Sequence, residues 1–153
     1  MRRAAVAAML AAAAAGALAQ PATASLQPPA APASTAAPSG CPAAQDVEAH
    51  QLLGLWHADI DGVPRGATLL LEPHPEYAGS LAGALNRDGV RSRVAADLDE
   101  DGFTLEESAD GVHIAATWLG DLVDGSCGRE IRGSWQPAGD APPRVFVLRR
   151  VGR

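Results

Sequence analysis

Lysine is missing altogether, and all 12 basic residues are arginine. That excludes Schiff-base chemistry and the phosphate-binding lysine of a Walker loop. No acidic residue precedes Asp46, and all 18 lie between Asp46 and Asp140. The formal charge is −6, and with Arg2 and Arg3 set aside the remainder is more negative still. Such a surface repels phosphate backbones, so a nucleic-acid partner is not expected. Cysteine is scarce, at two residues, and no histidine cluster accompanies it to make a zinc site. Long apolar runs are missing too: Ala4 to Ala19 is too short and too rich in alanine for a stable membrane span. The 47% hydrophobic content therefore overstates the core, because alanine dominates the first 45 residues.

A chain of 153 residues is expected to hold one domain with tails, at about 100–200 residues per domain. Arg2 and Arg3 followed by the apolar run, with Ala17-Leu18-Ala19 as small residues before Gln20, read as a Sec-type signal peptide over residues 1–19. Cleavage after Ala22-Thr23-Ala24 is the nearby alternative. Ala4-Ala5-Val6 lacks the bulky apolar residues of a twin-arginine signal, and Cys41 lies too far along for lipid anchoring. Residues 20–45 are rich in Pro, Ala, Ser and Thr, a composition that reads as a flexible linker. The folded part is then residues 46–153. The expected location is the periplasm or the outside of the cell, with no membrane span once the signal is removed. In an oxidising compartment Cys41 and Cys127 are expected to pair. A bridge closing so long a loop would stabilise by about 4–5 kcal/mol in the chain-entropy account.

The folded part shows period-two alternation broken about every ten residues by turn residues, the pattern of an all-β chain. Strands are predicted over Leu52–Asp59, Ala67–Glu72, Gly79–Leu85, Val90–Leu98, Phe103–Glu107, Val112–Leu119, Cys127–Trp135 and Val145–Arg150. Asp61-Gly62, Asp88-Gly89, Asp101-Gly102 and Asp110-Gly111 mark the turns. Short connections make neighbours antiparallel, and eight strands suffice to close an up-and-down β-barrel, a meander without free edges. An open two-sheet sandwich is the rival architecture.

Candidate chemistry is sparse. Asp97, Asp99 and Asp101 before Gly102 copy the first half of a calcium loop, but the twelfth position is Ser108 where a bidentate Glu is needed. An acidic hairpin tip is the plainer reading, and no cofactor is expected. His50, His57, His74 and His113 lack ligand spacing. Ser108 and Ser126 lie in no nucleophile turn, and Glu106 and Glu107 point to opposite faces of their strand, so catalysis is not expected. Trp56, Trp118 and Trp135 alternate onto the inner face with Ala58, Ile114, Ala116, Ile131 and Gly133. Gly79, Gly83 and Gly133 would leave volume beside the indoles, and Arg129 alternates inward as well. That face either packs solid or holds one small ligand.

Gly54-Leu55-Trp56 in the first strand, with Arg149-Arg150 closing the last, resembles the calycin-type barrels: lipocalins, avidin-like proteins and bacterial metalloprotease inhibitors. The resemblance implies pairing of the first and last strands, with Trp56 against an arginine guanidinium. The segments 104–108 (TLEES) and 128–133 (GREIRG) also resemble parts of uncharacterised exported proteobacterial proteins, which implies no function. Two functions are expected to compete. One is a non-enzymatic barrel binding a small apolar or aromatic ligand through Trp56, Trp118, Trp135 and Arg129. The other is an interaction protein, such as an inhibitor of a secreted protease or hydrolase, whose partner is a secreted or periplasmic protein. For the metalloprotease inhibitors, the resemblance implies insertion of the N-terminal segment into the enzyme's cleft. An envelope protein with a structural role is the third possibility.

Overall fold

A computed structural model describes residues 40–152. The expected signal peptide and residues 20–39 of the expected linker lie outside the described residues. Two short 3-10 turns, Ala44–Asp46 and Ala49–Leu52, lead into eight strands. These are β1 (Gly54–Ile60), β2 (Val63–Pro73), β3 (Leu81–Arg87), β4 (Val90–Asp99), β5 (Gly102–Ser108), β6 (Ala116–Leu122), β7 (Glu130–Pro137) and β8 (Arg144–Arg150). Each strand pairs antiparallel with the next, and β1 pairs with β8, so the sheet closes into an up-and-down barrel. Closure removes the sandwich alternative and leaves no strand edge unpaired.

Local chemistry explains the turns. Arg87 pairs with Val90, so Asp88-Gly89 is a two-residue hairpin loop. Both residues have positive φ, 52° and 84°, which is what the twist-compatible primed turn requires. Gly66 sits at φ 59°, where a Cβ would stand 2.0 Å from the carbonyl oxygen of Ala58. That close approach coincides with the register shift between Ala58 and Ile60, and it lets β2 begin at Val63 despite Pro64.

Four predicted strands, the first, third, sixth and seventh, start later than alternation indicated. The sixth begins at Ala116, and Val112 and Ile114 are exposed in the preceding loop. Asp110 Oδ1 accepts the backbone N–H groups of Val112 and His113, each at 2.8 Å, and Ser108 Oγ donates to the carbonyl of His113 at 2.7 Å. Side chains thus satisfy backbone groups that a sheet ladder would otherwise use. Hydrogen bonds from the His113 ring and from the backbone of His113 and Val112 hold the Asp110 carboxyl well below the usual carboxylate range. The seventh strand begins at Glu130, after a loop in which Cys127 has φ 57° and is bonded to Cys41. The first strand also starts late, because Leu52 belongs to the 3-10 turn and plugs one end of the barrel, fully buried.

That plugged end is tied down by polar contacts. Trp56 Nε1–H donates to the carbonyl of Leu52 at 2.8 Å. Arg150, opposite Trp56 in the β1–β8 pairing, donates to the carbonyls of Gln51, at 2.7 Å, and of Leu53. The expected pairing of the first and last strands therefore occurs, and the Arg150 guanidinium holds the turn's carbonyls. The Cys41–Cys127 disulfide joins the chain ahead of this turn to the β6–β7 loop.

The barrel interior is packed. Trp56, Trp118, Phe146, Leu69, Leu85, Leu105, Ile131 and Leu148 have no exposed surface. The glycines expected to leave volume do not do so. A Cβ on Gly83 would lie 1.9 Å from the carbonyl oxygen of Leu70, and one on Gly133 1.9 Å from that of Leu119. At both positions the neighbouring strand's backbone fills the space, and Gly79 stands in the exposed β2–β3 loop.

Candidate functional site

The three inward-facing tryptophans do not form one group. Trp56 lies opposite Arg150 at the end of β8, whereas Trp135 lies opposite Arg144 at its beginning. Trp56 therefore belongs to the plugged end and Trp135 to the mouth. Trp118 and Trp135 are direct partners across β6 and β7, with ring centroids 6.2 Å apart. Trp118 also meets Phe146 edge-on at 4.9 Å. Arg129 joins neither group. The chain leaves the ladder before β7, and the Arg129 side chain donates to the carbonyl of Gly152 while its own carbonyl accepts from Arg150. Its expected inward orientation fails because alternation holds only within a strand.

A polar cluster occupies the mouth, and alternation bears on two of its residues, Ser92 and Glu107. Phe103, Leu105 and Glu107 share the inner face of β5, and Ser92 shares that of β4. Glu107 is only 1% exposed. Arg87, at the end of β3, donates to both its carboxylate oxygens, at 2.9 and 3.2 Å, and Ser92 Oγ donates to one of them at 3.0 Å. A buried carboxylate is tolerable only when paired and hydrogen-bonded in this way. The Arg87 guanidinium also lies 5.0 Å from the Trp135 ring centroid, and that of Arg144 lies 5.6 Å from it. Two cations over one aromatic ring, one of them neutralised by a carboxylate, form a stopper on the barrel.

The other candidates are distributed over the surface. Asp97, Asp99 and Asp101 are exposed on β4 and its turn, where Asp99 Oδ1 accepts the backbone N–H of Asp101 at 2.9 Å. Among the described residues no three His, Cys, Asp or Glu side chains converge as a metal ion would require. His113 pairs with Asp110 at 2.7 Å, His57 lies 3.4 Å from Asp59, and His50 lies 3.1 Å from Glu48. His74 accepts backbone N–H groups from Glu76 and Tyr77 and so organises its own loop. On the barrel wall, hydrogen bonding from Arg132 outweighs desolvation and lowers the pKa of Glu130, with Arg149 assisting.

The principal clefts lie outside the barrel, and none is lined by Trp56, Trp118 or Trp135. One of about 630 Å³ runs beside the plugged end between Val47, Glu48, His50 and Leu98. At the mouth, Glu107 has both oxygens engaged and Trp135 is covered by cations, an arrangement that holds charge and presents donors. These groups sit on a small closed eight-stranded barrel. No protein-family model matches the chain, and comparison with curated proteins finds no similar one.

Proposed function

We propose that this chain is an exported, non-catalytic binding protein that works as a solid scaffold and recognises a protein partner with its outer surface and ends. The observation that carries this reading is the filled interior: Trp56 and Trp118 have no exposed surface, and backbone occupies the space beside the inward glycines. A carrier of apolar or aromatic molecules needs a cavity of about 300 Å³ or more lined by such side chains. The Cys41–Cys127 bridge and the N-terminal sequence support export to an oxidising compartment. Among the described residues no helix is long and apolar enough to cross a membrane. Support for an inhibitor, within this reading, comes from the calycin-like Gly54-Leu55-Trp56 motif and from the disulfide. The bridge fixes Cys41 to the β6–β7 loop, so the segment before it departs from a defined point.

The test combines two titrations of the mature protein. Against a panel of secreted metallo- and serine proteases, stoichiometric loss of one enzyme's activity is expected. With the apolar fluorophore N-phenyl-1-naphthylamine, no saturable fluorescence gain is expected. Inhibition of no protease, together with saturable one-to-one dye binding that quenches tryptophan, would replace this reading with that of a small-ligand carrier.

A further inference from the structure

Trp118 and Trp135 are paired across β6 and β7, 0% and 7% exposed, and neither indole N–H has an acceptor. An indole nitrogen can only donate, and a buried donor left unpaired forfeits its hydration without return. The third indole offers the contrast, since Trp56 Nε1–H is satisfied by the Leu52 carbonyl. The deficit is therefore a property of the Trp118–Trp135 layer and not of tryptophans in this barrel generally. Glu107 does not relieve it, because its hydrogen bonds come from Arg87 and Ser92.

A charge imbalance lies beside the missing acceptors. Arg87 is neutralised by Glu107. Arg144 stands over the same Trp135 ring, and among the described residues no carboxylate lies within ion-pair distance of it. Its polar contact to the body is a 3.5 Å hydrogen bond to the carbonyl of Asp61. The side chain is long and the residue exposed, so lifting it from the ring requires little else to move.

We infer that the mouth of the barrel binds a carboxylate, with Arg144 as its counter-ion and the indole N–H groups of Trp118 and Trp135 as its neutral donors. A carboxylate supplies what the layer lacks, one negative charge and several lone pairs, and charge-assisted hydrogen bonds of this type are the stronger ones. This inference does not rest on the partner reading above. A free small acid and an acidic side chain on another protein present the same group.

Indole ¹H–¹⁵N spectra of the full mature chain test it, because the three tryptophans give three cross-peaks. Titration with sodium acetate is expected to move the Trp118 and Trp135 peaks saturably and leave that of Trp56 in place. Sodium chloride at equal ionic strength is expected to move none of them. Arg144→Gln should weaken the apparent affinity about tenfold, as loss of a charge-assisted hydrogen bond does. Arg91→Gln, on the outer face of β4, should leave it unchanged. A blocked peptide with one central aspartate separates the two sources: a response to it as well as to acetate assigns the site to a partner's side chain, and a response to acetate alone assigns it to a free acid. Two indole peaks that ignore acetate, as they would with only a buried water as acceptor, overturn the inference. So does a parallel drift of all three peaks in both salts.

Discussion

Trp56→Ala should destabilise the barrel by about 3–5 kcal/mol, the range for removing a fully buried aromatic side chain. The indole has no exposed surface, and its N–H holds the carbonyl of Leu52 at 2.8 Å. Its loss leaves a cavity next to the 3-10 turn that plugs the barrel. The same turn is held from the other side by Arg150, through the carbonyls of Gln51 and Leu53. Trp56→Phe keeps most of the ring but loses the hydrogen bond, so it should cost a smaller share. Urea denaturation followed by circular dichroism measures both variants. A Trp56→Ala midpoint equal to that of the parent would show that the plugged end contributes nothing to the barrel's stability.

Reduction of the Cys41–Cys127 bridge should cost about as much. The two residues are 86 apart in sequence and the loop encloses six of the eight strands. The chain-entropy relation gives about 4–5 kcal/mol for a loop of that size. For a domain of this size that is a fall in melting temperature of about 20 °C. Thermal scans with and without reductant, and of the Cys41→Ser/Cys127→Ser double variant, should agree with each other. Superimposable transitions would mean that the unfolded chain is already confined, or that the segment at Cys41 adds nothing to the fold.

The architecture was legible because its signals are short in range. Alternation in β3, β4 and β5, and Asp-Gly or Gly at the hairpins, mark strands and reversals residue by residue. Eight strands joined by short connections leave few ways to hide their edges. The cysteine pairing was legible from the even count and the expected export. What alternation could not convey was where a strand yields to competing side chains. Val112 and Ile114 continue the apolar pattern of β6, yet Asp110 and Ser108 take over the backbone's hydrogen bonds and turn both residues out to solvent. Arg129 shares the parity of Ile131, Gly133 and Trp135 but precedes the ladder that gives parity its meaning.

The mouth was half legible. Glu107 carries the same parity as Phe103 and Leu105, so its inward direction stood in the sequence. Its partner Arg87 did not, because the pair forms across β3, β4 and β5, 20 residues apart. The inward glycines misled for a related reason. Alternation gives the direction of a missing Cβ but not what lies there, and at Gly83 and Gly133 it is the next strand's backbone.

Mass spectrometry of the protein purified from its native source, recorded under native and denaturing conditions, tests the packed scaffold most directly. The denatured mass fixes the mature N-terminus and shows whether the bridge is closed. A solid barrel gives a native mass equal to the denatured one, with no apolar molecule retained. Additional mass that appears only in the native spectrum, and that is identified as an apolar or aromatic compound, would show the interior to be occupied and contradict the scaffold.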